Sequence, residues 1–182
     1  MGEGEGEVGL GSLSLPRLAA PEPLASSHRL GDFRCGENSL DEWLKRRALK
    51  NQESGASRTY VVCAERKVVG YYCLAAGSVE NAASPPRVRR NMPSNIPVMV
   101  IGRLAVHRDW HGRGLGRDLV RDALLRTLNA AEIAGIRAVL VHALSDPVRV
   151  FYAGCGFRPS PTNPMTLMAT LADVKKALDP EA

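Results

Sequence analysis

The chain has 182 residues, 45% of them hydrophobic and 24% charged, with a formal net charge of +5. That length and balance suit one soluble domain with a workable core. No apolar run approaches the roughly 20 residues of a membrane span. The charge is uneven: residues 1–30 carry Glu3, Glu5, Glu7 and Glu22 against Arg17 and Arg29, a net of −2, so the remainder carries +7. Between Asn81 and Arg108 there is no acid, while Arg87, Arg89, Arg90, Arg103 and Arg108 all fall there. Such a bias fits either a polyanionic partner, nucleic acid first, or a solvated basic surface.

In chain order, the opening "MGEGEGEVGLGSLSL" has neither the basic start nor the apolar core of a secretory signal. Gly6 stands where a myristoylation signal needs Ser or Thr. Residues 1–15 are therefore expected to be a disordered, acidic, glycine-rich tail, and 16–182 a single domain. The spacing of "SLDEWLKRRALK" predicts a helix over 39–50, with Ser39 and Glu42 as a capping box and Leu40, Trp43, Leu44 and Ala48 as its apolar stripe. "RTYVVCAE" (58–65) and "KVVGYYCLAAGSV" (67–79) read as strands joined tightly around Arg66 and Lys67. A loop with four prolines follows, then a buried strand, "VMVIGRLAV" (98–106).

Residues 115–131 keep helical spacing, with Arg117, Asp118, Arg121, Asp122 and Arg126 mostly on the polar face and Gly135 as the expected left-handed stop. "RAVLVHAL" (137–144) is a strand. "SDPVRVFYAG" is a helix capped by Ser145 or Asp146, with Pro147 in its first turn. "MTLMATL" and "LADVKKAL" close the chain as a strand and a short helix. The four cysteines, Cys35, Cys63, Cys73 and Cys155, show no C-x-x-C spacing and no histidine cluster, so no metal site is expected. Cys63 and Cys73 read as small core residues, and a reduced, cytoplasmic protein fits.

The chemistry concentrates in "HGRGLGRDLV" (111–120), a glycine-rich turn between a strand and a helix. Amides at a helix N-terminus, reinforced by its dipole, bind anions. The turn is not a Walker A loop, since no Gly-Lys-Ser/Thr follows, nor a dinucleotide fingerprint, since Arg117 and Leu119 occupy the required third-glycine positions.

His111-Gly112-Arg113-Gly114-Leu115-Gly116 resembles the Gln/Arg-x-x-Gly-x-Gly/Ala signature of the GNAT acetyltransferases, with His111 replacing the usual Gln or Arg. "SDPVRVFYAGCGF" (145–157) resembles the same family's later helix. The resemblance implies an α/β (α+β) domain, with a mixed, mostly antiparallel sheet of six to seven strands flanked by about four helices. It implies acetyl-CoA as donor, held by His111, Gly112, Arg113, Gly114, Leu115, Gly116 and Arg117, by the strand segment Leu104, Ala105 and Val106, and by Ser145. Tyr152 then protonates the leaving thiolate. His107 and His111 flank the turn and read as polar turn residues, and His142 as structural.

Phe33, Cys35, Gly36, Leu40, Trp43 and Leu44 further resemble the opening motif of GNAT toxins from toxin–antitoxin pairs. Those proteins acetylate the α-amine of aminoacyl-tRNA, halting translation, and are neutralised by ribbon-helix-helix antitoxins. The basic residues Lys45, Arg46, Lys50, Arg87, Arg89 and Arg90 read as tRNA contacts, in the half of the fold that the resemblance implies faces the acceptor, and the resemblance admits a homodimer. Two alternatives stand beside it: a GNAT enzyme acting on a protein or small-molecule amine, and a non-catalytic nucleic-acid-binding module.

Overall fold

The computed structural model describes residues 16–178. The expected N-terminal tail lies outside the described residues. Seven strands form one sheet: β1 (Glu22–Pro23), β2 (Arg58–Ala64), β3 (Lys67–Glu80), β4 (Asn95–Val106), β5 (Ala138–His142), β6 (Arg158–Pro159) and β7 (Thr166–Thr170), in the order β1-β2-β3-β4-β5-β7-β6. Every pairing is antiparallel except β4 with β5. Six α-helices flank it: α1 (Asn38–Arg46), α2 (Ala48–Glu53), α3 (Pro86–Arg89), α4 (Leu115–Ala131), α5 (Asp146–Gly154) and α6 (Leu171–Leu178).

Several boundaries differ from the sequence expectation, each for a local reason. The helix expected over 39–50 breaks at Arg47, and the bend lets Gln52 donate to the Leu24 carbonyl at 2.6 Å and accept from the Thr59 amide at 3.1 Å. The expected capping box does not form. Glu37 caps α1 through the Ser39 amide and hydroxyl, while Glu42 pairs with Arg46 at 2.6 Å. The β2–β3 turn falls one residue early, on Glu65 and Arg66, whose φ values of 49° and 70° match the primed turns that suit strand twist. The proline-rich loop contains α3, with proline in its first turn where no amide donor is needed. Helix α4 stops at Ala131, and Gly135 is not left-handed.

Alternation along the strands sorts the helices onto two faces. On one face, Val61, Tyr71 and Ala105 pack under Leu44 and Ala48 of α1 and α2. Val98, Ala138 and Leu140 extend that face under Val88 of α3. On the other face, Val62, Tyr72, Val139 and Leu167 carry α4, α5 and α6 through Leu119, Tyr152 and Val174. Ile101 and Ala105 are four residues apart on β4 yet belong to opposite faces. The register shift that reverses them lies at Gly102, the extra residue facing the Cys73–Leu74 step of β3.

Not all of the polar face of α4 is solvated. Asp122 accepts the Tyr72 hydroxyl and the Arg126 guanidinium, the latter at 2.9 Å, and Arg126 lies 4.0 Å over the Tyr60 ring and donates to the Pro21 carbonyl. One carboxylate thus ties α4 to β3 and to the chain ahead of β1. Near β1, Glu22, His28 and Cys63 lie within 4.8 Å of one another. The Ala25 amide donates to His28 Nδ1, so the neutral ring carries its proton on Nε2 and donates to Glu22. That tautomer closes the group as a hydrogen-bonded latch and leaves no ring lone pair for a metal.

Replacing Asp122 by Ala leaves a part-buried phenol and a guanidinium without their acceptor. The expected loss is about 2 kcal/mol, read as a lower urea midpoint at an unchanged slope.

Candidate active site

The bulge at Gly102 coincides with the point where β4 and β5 part. The two strands pair only over Val98–Ile101 and Ala138–Val141. Beyond Ile101, β4 continues to Val106 against β3 alone. The amide of His107 donates to the Val69 carbonyl of β3 at 2.8 Å, so alternation turns the backbone polar groups of Leu104 and Val106 toward the gap. Ala105 lies between them, its side chain buried on the α1 face. A polar backbone edge without a strand partner is a ready site for an extended, amide-bearing ligand.

The glycine-rich turn sits at the end of this gap. Gly112 and Gly114 have φ values of 71° and 83°, which side chains rarely adopt. No side chain caps α4, and the first in-helix bond runs from the Asp118 amide to the Gly114 carbonyl, leaving the preceding amides free. His111 Nε2 bonds the Val106 carbonyl at 2.7 Å and ties the turn to the gap-facing strand. Arg113 stacks 4.9 Å over Trp110, and Arg117 donates to the Gly154 carbonyl of α5. A β-carbon on Gly116 would touch the Phe151 ring at 3.4 Å. The resulting hollow of about 280 Å³ is lined by the turn, Val106, Trp110 and Phe151. The sum is a shallow, amide-rich cradle suited to a pyrophosphate.

Tyr152, on α5, is 5% exposed and lines a separate cleft of about 190 Å³ with Gly102, Leu104, Ser39, Leu40 and His142. Burial, and then the neighbouring Cys155 and Cys73, push its phenol well above the usual tyrosine range. It therefore stays protonated at any physiological pH, the state a proton donor needs. The cleft runs between the two faces of the sheet, with α1 on one rim and α5 on the other. Ser145 precedes α5 as its exposed cap residue, with no side-chain cap bond. His107 accepts from the Asp109 amide and bonds the Asp32 carbonyl, a turn-holding role. His142 bonds Thr166 at 2.9 Å and faces the cleft.

The basic residues occupy the α1–α3 face in two groups. Lys45, Arg46 and Lys50 lie on α1 and α2, with Arg46 paired to Glu42. Arg87, Arg89 and Arg90 lie on and just after α3, and Arg87 is paired to Asp173 at 2.6 Å. Arg89 and Arg90 are exposed and pair with no acid among the described residues. Arg137 anchors this segment by donating to the Arg87 and Val88 carbonyls. A hollow of about 420 Å³ lies between α4 and α6, with Arg87 at its edge, and does not include Tyr152. Sequence reasoning counted Arg103 only as charge and left Trp43 in the core stripe. In the structure Arg103 lines the cleft and stacks over Trp43 at 4.7 Å. No sequence signal links the two, because the contact depends on the bulge that redirects β4.

A parted parallel strand pair, an uncapped helix on a glycine turn, and a buried tyrosine between them define an acyl-CoA-dependent transferase. Residues 55–159 match the family model described as "Acetyltransferase (GNAT) domain", and the chain belongs to the GNAT acetyltransferases. It is 48% identical over 157 residues to the tRNA-acetylating toxin of Mycobacterium tuberculosis, covering 86% of this chain and 95% of that one. Among solved structures it is similar to AtaT complexed with acetyl-methionyl-tRNAfMet, with TM-score 0.83 and 30% identity over 89% of this chain and 99% of that one. It is also similar to a mutant AtaT bound to the C-terminus of the antitoxin AtaR and acetyl-CoA, with TM-score 0.78 and 29% identity over 91% of this chain and 99% of that one.

Gly114→Asp forces a side chain into the left-handed region and brings a negative charge to the cradle. Calorimetry is expected to show acetyl-CoA binding lost in a protein that still melts cooperatively; unchanged affinity removes the turn from the donor site.

Proposed function

We propose that this protein transfers the acetyl group of acetyl-CoA to the α-amine of aminoacyl-tRNA and thereby blocks translation as the toxin of a toxin–antitoxin pair. The observation that carries the reading is the through-sheet cleft, with the pyrophosphate cradle at one end of the gap and α1, which carries Lys45 and Arg46, on one rim. The 48% identity to a tRNA-acetylating toxin, and the likeness to AtaT in complex with an acetylated aminoacyl-tRNA, support the acceptor. The free turn amides from Gly112 to Arg117 bind the donor pyrophosphate, with His111 holding the turn and Arg113 and Arg117 adding charge. Leu104 and Val106 bond the pantetheine arm and the thioester oxygen, with Ala105 setting their spacing, and Ser145 closes the far wall.

The amine attacks as a free base. An α-amine has a pKa of about 7.7–8.0, and an adjacent ester lowers it, so water suffices as the base. The new C–N bond forms as the carbonyl oxygen gains charge, which the preorganised strand amides stabilise. The C–S bond then breaks, and the thiolate takes the Tyr152 proton, which solvent restores. The amine's surplus proton leaves to water. Lys45, Arg46, Lys50, Arg87, Arg89 and Arg90 contact the tRNA backbone. A ribbon-helix-helix antitoxin holds the toxin in check, the resemblance admits a homodimer, and residues 16–182 act as one domain. No described helix is long and apolar enough to cross a membrane, and the cytoplasm, where charged tRNA resides, is its compartment.

Tyr152→Phe keeps the ring contacts and removes the proton donor. Acetyl-CoA binding is expected to survive while turnover falls about 10²- to 10⁴-fold. Because burial raises the phenol pKa, the acid form persists as pH climbs. The wild-type rate is therefore expected to rise as the amine loses its proton and then stay level past about pH 10, where an ordinary tyrosine would titrate.

Arg89 and Arg90 carry the clearest test of the acceptor surface, since Arg87 already has a partner. Each neutralised phosphate contributes about −0.7 to −0.9 to the log–log salt slope of binding. Replacing both by Ala is expected to flatten that slope by about 1.4 to 1.8 units in tRNA binding across a salt series, with acetyl-CoA affinity unchanged. Equal slopes promote the protein or small-amine acceptor.

A further inference from the structure

Arg103 is the one arginine of β4, and the bulge at Gly102 delivers it to the α1 face immediately beside the reaction cleft. Its guanidinium lies over Trp43 at 4.7 Å. Trp43 in turn stacks nearly parallel on Tyr71, with centroids 6.0 Å apart and planes 12° from one another. Tyr71 is fully buried, meets Phe33 edge-on, and donates its hydroxyl to the Leu40 carbonyl of α1 at 2.8 Å. The guanidinium thus rests on a pile of two rings whose lower member is fixed in the core. Stacking of this kind orients the planar fork while leaving its N–H donors free.

What those donors face is equally informative. Arg103 is half-buried, and no salt bridge among the described residues includes it. The buried carboxylate on α1, the helix that carries Trp43, is Asp41, and it is committed to the Cys35 amide. A fixed, half-buried guanidinium without a counter-charge, in the same cleft as the proton donor, is built for an anion that arrives with the substrate. The donor's pyrophosphate has its own cradle around Gly112–Gly116, and its 3′-phosphate lies beyond that pyrophosphate from the thioester, so the anion beside the reaction cleft belongs to the acceptor. Resting on the aminoacyl-tRNA reading above, we infer that Arg103, seated on Trp43, clamps the 5′-phosphate of the terminal nucleotide of the acceptor strand and so sets the α-amine against the thioester. That phosphate is separated from the amine by only one ribose and one ester linkage. Arg103 is then a positioning residue that selects amines carrying a nearby phosphate over free amines.

The test compares two minimal acceptors, the alanyl 3′-ester of adenosine 5′-monophosphate and the same ester of adenosine, alongside aminoacyl-tRNA. Wild type is expected to favour the phosphorylated ester by about ten- to hundredfold in kcat/KM, as for a charge-assisted contact. Arg103→Ala and Arg103→Gln should erase that preference by lowering turnover of the phosphorylated ester alone, Arg103→Lys should restore part of it, and Trp43→Leu should weaken it. Acetyl-CoA affinity by calorimetry should hold in each. A wild type that treats the two esters alike, or variants that lose both equally or lose acetyl-CoA binding, overturn the clamp. If wild type acetylates aminoacyl-tRNA normally in those cases, the function stands without the clamp; if it acetylates neither ester nor tRNA, the acceptor reading itself falls.

Discussion

The structure turns on the unmade half of a strand pair. β4 and β5 share four residue pairs and then separate at Gly102, and everything the site needs follows from that separation. Backbone groups that would have been spent on a ladder remain available on β4, and the sheet core that would have been continuous acquires a passage from face to face. An isolated opening of this kind would expose apolar edges and unmet polar groups at a cost of order 1–3 kcal/mol for each buried group left unpaired. The opening persists because β3 holds the other edge of β4 along its whole length, with partners from Gly70–Val106 to Glu80–Asn95.

The walls of the passage are held by contacts that cross between elements. His111 joins the glycine turn to β4, Arg117 joins α4 to the end of α5, and Tyr71 joins β3 to the start of α1. Each is one hydrogen bond, but each spans a boundary that backbone pairing does not. The donor cradle, the strand amides and the tyrosine therefore share a common frame, and a polar, water-accessible site keeps fixed geometry. Rigid support of this kind is what allows donors to be aimed at a charge that develops only in the transition state.

Much of this was legible in the chain. The glycine turn, its preceding strand and the Phe-Tyr helix are local patterns, and local geometry places them at the turn, on β4 and on α5. The two-residue strands β1 and β6 were not legible, because two residues carry no periodicity. Helix α3 hid among prolines that read as loop. The break at Arg47 was invisible because the residues on either side continue one apolar stripe. Asp122 and Arg126 looked like solvated charge, and only the contacts of Tyr60 and Tyr72 turn them into a part-buried anchor. Arg103 was hidden for a related reason: a one-residue bulge decides which face it meets, and nothing in "VMVIGRLAV" announces the bulge except Gly102 itself.

The passage through the sheet also sets the traffic of the reaction. In the proposed reaction, donor and acceptor approach from different sides, so neither has to leave before the other arrives, and both can occupy the protein together. Transfer as proposed then proceeds directly in a ternary complex, with no acetylated protein residue on the way. In the same proposed arrangement, a partner laid over the α1 rim denies the acceptor its approach while leaving the glycine turn open, so a silenced molecule can remain loaded and resume work at once when that partner is removed.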